Sequence, residues 1–204
     1  MATLASVIAV VAALKGGVGK TTTSVYLAAA ASGGRRPVTL VDADPQASAA
    51  DWLEVAEDEQ LELVSLVEAP TERMLTKTLD KLDADDLAVV DTPPGHERLL
   101  VKALERADFV VIPTRVGGVE ATRVEAVLEL IPKKLPTGLV ICSARTYTRD
   151  YQDYVASWQE AGVEVWGSIP ERVAVASGPE GWLAAEALEA YGAVWRKGKR
   201  AATR

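Results

Sequence analysis

The chain reads as an α/β fold, a mostly parallel central sheet with helices on both faces. Three observations predict it. Short β-branched apolar runs alternate with longer stretches of helical spacing over the 204 residues, as in successive βαβ units. Several runs carry almost no polar residue, as strands buried on both faces require. An apolar share of 49% with 25% charged residues belongs to a globular chain and not to a disordered one. The length suits one domain over residues 1–204.

The elements follow in order. Val7–Leu14 is an unbroken apolar run and reads as the first strand; the Ala-rich Thr21–Ala31 has helical composition and stops at Gly33-Gly34. Pro37 precedes a second strand, Val38–Val41, and a helix over Gln46–Ala56. Leu61–Val67 reads as the third strand. Thr71–Leu82, Glu97–Ala107, Glu120–Ile131 and Asp150–Ala161 have helical spacing, and the strands Leu87–Val90, Phe109–Ile112, Leu139–Cys142 and Val163–Trp166 separate or follow them. Pro132–Gly138 is an ordinary connection, Gly162 ends a helix, and Glu180–Trp195 reads as the last helix. A basic tail over 196–204 completes the chain.

Charge and cysteine content exclude several classes. Twenty-two basic against 29 acidic residues give −7, which argues against a surface that coats nucleic acid everywhere. Arg196, Lys197, Lys199, Arg200 and Arg204 place +5 in the last nine residues, so the rest carries −12 and a local basic patch remains open. One cysteine, Cys142, excludes an intramolecular disulfide, a four-cysteine zinc site and an iron–sulfur cluster built by a single chain. No run of 18 apolar residues occurs, and no basic segment precedes Val7–Leu14, so a cytoplasmic protein without membrane span or signal peptide is expected. The acidic clusters Glu54, Glu57, Asp58, Glu59, Glu62 and Asp80, Asp83, Asp85, Asp86 read as solvated surface.

Three segments carry chemistry. Lys15-Gly16-Gly17-Val18-Gly19-Lys20-Thr21-Thr22 lies between a buried strand and a helix, the setting of a P-loop NTPase. Its glycines let backbone N–H groups approach phosphate oxygens, and the helix N-terminus adds partial positive charge. Lys20 would reach the β and γ phosphates of a nucleotide and Thr21 would ligate Mg²⁺. Asp42 and Asp44 follow the second strand on what extended geometry makes one side of the chain, facing the phosphates together. Asp91 ends the strand Leu87–Val90, in position to contact the hydration shell of Mg²⁺, ahead of Thr92-Pro93-Pro94-Gly95. His96, the one histidine, is set aside as a base, because phosphoryl transfer to water needs positioning and charge.

The form K-G-G-x-G-K-[ST]-T, with leucine at position 14 where the common phosphate loop has glycine, resembles the deviant Walker A loop of the ParA/MinD ATPases. The resemblance implies ATP as substrate, Mg²⁺ as its companion, and a role for Lys15 across a dimer interface on the other subunit's nucleotide. Asp-Ala-Asp-Pro-Gln and Thr-Pro-Pro-Gly resemble that family's two switch segments, which makes Asp44 the residue that orients the attacking water and Asp42 its metal-side partner. Base recognition maps onto Cys142–Arg145 and Ile169–Arg172, with Pro170 and Arg172 as candidates.

The short segment before the first strand aligns the chain with small ParA-type partition proteins that lack an N-terminal helix-turn-helix domain; Trp52 is typical of them. The resemblance then implies a homodimer in the ATP state, nucleoid association through non-specific DNA binding, and a small centromere-binding partner of ParB or ParG type. Arg196, Lys197, Lys199 and Arg200 offer a DNA contact, with Arg172, Arg145 and Arg149 as contributors, or else form a disordered solubilising tail. The tail lacks the apolar face of the MinD membrane helix, so no membrane is expected. Positioning of a protein cargo by the same switch is the alternative, and a metabolic P-loop ligase a third reading, against which Lys15 argues.

Overall fold

A computed structural model describes residues 6–33, 35–56, 58–172, 175, 178 and 183–203. The expected helix start at Glu180, together with Gly34, Glu57 and Arg204, lies outside them. The chain alternates β1 (Val7–Val11), α1 (Lys20–Ser32), β2 (Val38–Asp42), α2 (Ser48–Val55), β3 (Val64–Glu68), α3 (Glu72–Leu79), β4 (Leu87–Asp91) and α4 (Glu97–Leu104). It continues through β5 (Phe109–Thr114), α5 (Gly118–Leu130), β6 (Thr137–Ala144), α6 (Arg149–Glu160), β7 (Glu164–Pro170) and α7 (Ala185–Ala202).

The seven strands form one sheet in the order β3-β2-β4-β1-β5-β6-β7, with every pairing parallel. Side-chain alternation splits the core into two layers. Val7, Ala9 and Val11 of β1 join Val25 and Leu27 of α1, Trp52 of α2 and Tyr191 and Val194 of α7. Ile8 and Val10 join Leu75 of α3, Leu100 of α4, Val127 of α5 and Trp158 of α6 on the other face. Chain order reverses around β1, which pairs with β4 on one side and β5 on the other. The crevice beyond its carboxyl end is therefore where such a sheet places a ligand.

Element ends moved for local reasons. β1 stops at Val11, the last residue in register with both neighbours, and Ala12–Leu14 lead into the loop instead of extending the strand. Leu61 belongs to a 3-10 turn, Glu59–Leu61, which Asp58 caps by accepting from Gln60 N at 2.8 Å. Thr71 and Thr148 set the starts of α3 and α6, each hydroxyl accepting a backbone N–H at 3.3 Å.

The largest correction is at the carboxyl end. The expected tail is helix: α7 runs to Ala202, Gly198 is buried, and a Cβ at Gly198 would stand 2.4 Å from the Phe109 ring. Packing on β5 thus holds the last two turns in place, so the disordered-tail reading fails for the described residues.

Candidate functional site

The loop between β1 and α1 wraps the carboxyl end of the central strand. Gly17 and Gly19 have φ of +82° and +93°, a left-handed backbone that side-chain-bearing residues rarely adopt. Gly19 is the N-cap of α1 and offers no side-chain cap, which leaves the first N–H groups of the helix to an outside acceptor. The two lysines part company. Lys20 is buried, and desolvation lowers its ammonium pKa against the pull of Asp91 and Asp44. Lys15 is exposed, as are Gly16 and Gly17, while Val18 is buried.

Asp91 ends β4 beside the loop and is 1% exposed. Ser24 Oγ donates to its Oδ1 at 3.0 Å and the Thr21 hydroxyl also bonds it. Burial nevertheless dominates and pushes the carboxyl up to about 6, with the neighbouring Asp42 charge adding to the rise. Asp42 and Asp91 are direct partners in the β2–β4 register, so two buried carboxylates stand side by side at the strand ends. Hydroxyl and carboxylate oxygens suit a hard cation. Among the described residues no group of three or more His, Cys, Asp or Glu makes a cage, and an ion such as Mg²⁺ would take its other ligands from water and phosphate oxygens.

Asp42 has a second task that its sequence position did not announce. Its Oδ1 accepts from Asp44 N at 2.9 Å, and its Oδ2 from Ala49 N at 2.9 Å and Ala50 N at 3.2 Å, so it caps α2. Capture of the Asp44 N–H turns the chain at the end of β2, so Asp44 lies beyond the strand. One Asp44 oxygen accepts from Gln46 N at 2.9 Å; the residue is half-buried and close enough to Lys20 to raise its pKa. Thr92, which opens the segment after β4, donates a 2.7 Å bond to Val11 O, and His96 is exposed at the start of α4.

A cleft of about 430 Å³ adjoins the loop, between Gly17, Gly19 and Thr22 on one side and Ile169–Arg172 on the other, floored by Cys142 and Ser143. Pro170 and Arg172 both line it; the Arg172 guanidinium is paired with Glu186 at 3.0 Å. Arg115 also lines the cleft and was missed by sequence reasoning, since it stands outside every motif and only the adjacency of β5 to β1 brings it there. Tyr191, the other addition, lines the cleft from α7 while its hydroxyl bonds Thr23 of α1 at 2.9 Å.

The basic residues do not form one surface. Arg145 pairs with Glu171 at 2.7 Å, Arg149 with Asp153 at 3.5 Å, and Arg172 with Glu186, all toward the carboxyl ends of the strands. Lys197 donates to Trp166 O at 2.9 Å and so fastens α7 to β7. Arg196 and Arg200 are exposed and Lys199 half-buried, and helical spacing puts these three on one face. Gly198 against Phe109, the first residue of β5, places that face at the edge opposite the phosphate loop, roughly 17 Å along a strand.

Comparison with known proteins agrees with this geometry. The family model described as the CobQ/CobB/MinD/ParA nucleotide binding domain matches residues 9–181. The protein ParA of Rhizobium radiobacter is 32% identical over 168 residues, covering 78% of this chain and 75% of that protein. The maintenance of carboxysome distribution protein A of Gloeobacter kilaueensis is 45% identical over 101 residues, 49% of this chain and 45% of that one. A plasmid partition protein of Borrelia burgdorferi, crystallised with AMPPNP, shares the fold with a TM-score of 0.75 at 20% identity, over 96% of this chain and 99% of its own.

Proposed function

The chain belongs to the CobQ/CobB/MinD/ParA nucleotide-binding family, and from that premise we propose that it is a partition ATPase of ParA type: a Mg²⁺-dependent ATP hydrolase that pairs in the ATP state, binds DNA without sequence preference and is stimulated by a centromere-binding partner. The observation that carries the reading is the contrast between its two loop lysines. Lys20 is buried against Asp91, where it serves its own nucleotide, while Lys15 is exposed and free to reach the phosphates held by a second copy.

In this reading the N–H groups of Gly16–Thr22 and the Lys20 ammonium hold the phosphates. Thr21 and Asp91 face the ion, which when bound offsets phosphate charge, with Asp42 alongside. Asp44 positions water: its turn is fixed by Asp42, and one of its oxygens accepts no hydrogen bond among the described residues. A single copy lacks the second lysine, so turnover is slow until two chains meet. The exposed face of Arg196, Lys199 and Arg200 is the DNA contact; two copies double its charge and make binding steeply salt-dependent. α7 joins the two ends, since Tyr191 stands in the cleft and the cations lie two turns on.

The test is ATP turnover and molecular mass with and without non-specific DNA, for the wild type and Asp44→Ala. The variant should bind ATP, remain dimeric and bind DNA, yet turn over at least about a hundredfold more slowly. Monomers in both proteins at saturating ATP would refute the reading. The 45% identity to a carboxysome distribution protein supports a second one, in which the same switch positions a protein cargo. Deleting the gene decides between them: plasmid or chromosome loss marks partition, and clustering of a protein assembly marks positioning.

A further inference from the structure

The sheet has an open edge at β3, which among the described residues pairs only with β2. Ala69 N donates to Asp42 O and Leu63 O accepts from Val38 N, so odd-numbered residues of this strand bond inward. Val64, Leu66 and Glu68 therefore turn N–H and C=O outward, and no hydrogen bond reaches those groups among the described residues. The side chains of the same three residues line a groove of about 630 Å³ that α2 and the 3-10 turn overhang. Its floor is apolar, with Leu53, Ala56 and Leu61 beside Val64 and Leu66. Its rim is acidic: Glu54, Glu59, Glu62 and Glu68 are exposed, and none is in an ion pair among the described residues.

We infer that this edge is a docking groove for an extended basic segment of a partner protein, which adds a strand to β3. The backbone of Val64, Leu66 and Glu68 supplies the ladder. Every second side chain of the guest then enters the groove, where apolar residues meet the floor and Lys or Arg meet the carboxylate rim, so a strand that carries both kinds at its groove-facing positions satisfies both. A second copy of this chain does not fit that description, because its strands are apolar runs or carry acids. Ala50 lines the groove and its N–H also holds Asp42, so an occupant presses on the cap that shapes the Asp42–Asp44 turn. The effect on hydrolysis, though not the docking, rests on the ATPase reading above.

A ten-residue Lys–Val peptide in which Lys and Val take turns at every second position with Thr between them, and a Glu–Val peptide of the same pattern as comparison, test this on the full chain by fluorescence anisotropy. The Lys–Val peptide should bind and slow amide exchange at Val64, Leu66 and Glu68, and the Glu–Val peptide should not bind. Glu59→Lys/Glu62→Lys/Glu68→Lys should weaken binding at least tenfold. Glu125→Lys/Glu129→Lys/Glu160→Lys, an equal charge change on α5 and α6, should alter it less than twofold. Equal weakening by both triples, unchanged exchange along β3, or no binding of the Lys–Val peptide overturns the inference; in the last case the carboxylates only keep the edge from pairing. ATP turnover read in the same samples separates the layers. Docking without any change in turnover overturns the coupling through Ala50, whereas docking to a chain that hydrolyses no ATP supports the groove and removes the ATPase reading.

Discussion

Asp91 shows how one buried carboxylate ties stability to pH. Its folded pKa of about 6 lies above the ordinary 3.8, so the folded chain holds the proton more tightly than the unfolded one. Its contribution to stability is full below pH 3.8 and is lost as pH rises through 6, by roughly 3 kcal/mol. Asp91→Asn should therefore stabilise the nucleotide-free protein at pH 7.5 by up to about that amount and have little effect at pH 4. Urea unfolding of both proteins at the two pH values checks it, and an equal difference at both would discount the buried charge. Arg115 is a second residue, and only the adjacency of strands reveals its place at the cleft. If its guanidinium faces bound nucleotide, Arg115→Ala should weaken ATP binding roughly fivefold, about 1 kcal/mol, and leave the melting temperature unchanged. Calorimetric titration reads the first quantity.

Among the elements, α7 departs furthest from its sequence description. Basic residues with Gly198 between them look like a frayed end, because glycine is costly within a helix and the charges need no core. Yet Gly198 is where the helix crosses the Phe109 ring, and Trp195 packs edge-on against the same ring with centroids 5.4 Å apart. Gly198→Ala gains helix propensity of about 1 kcal/mol but forces a Cβ into the ring, so the net change should be a loss of about 1–3 kcal/mol in chemical denaturation. A gain in stability would mean that the helix end does not bear on β5. The DNA face is best tested without truncation, since removing 196–204 also removes this packing. Arg196→Glu/Arg200→Glu should abolish ATP-dependent DNA retention at about 0.1 M salt while leaving turnover without DNA intact, read by gel shift and phosphate release. α2 makes the converse point: its start depends on Asp42, seven residues before Ala49, a bond that helix propensity alone does not reveal.

At the scale of the whole molecule, the proposed switch needs two copies, and Lys15 is its most direct probe. Lys15→Ala should still bind ATP but turn over at least about tenfold more slowly at concentrations that pair the wild type. Unchanged turnover would place the second lysine outside the reaction. Strand and helix positions, the order of the three acidic and glycine-rich segments and the phosphate loop itself were legible in the sequence. Burial on both faces of a parallel sheet imposes apolar runs, and contact with phosphates imposes glycine, lysine and threonine at adjacent positions; both are local demands written in consecutive residues. Groups far apart in sequence were decided by tertiary structure alone. The strand order brings Arg115, Pro170 and Tyr191 around one cleft, sets Asp42 beside Asp91 and leaves β3 open. Packing of Gly198 on Phe109 carries the basic residues to the end of the sheet opposite the loop that follows β1. These placements follow from which strands lie side by side and how closely a helix approaches the sheet, and neither is encoded within any short run of residues.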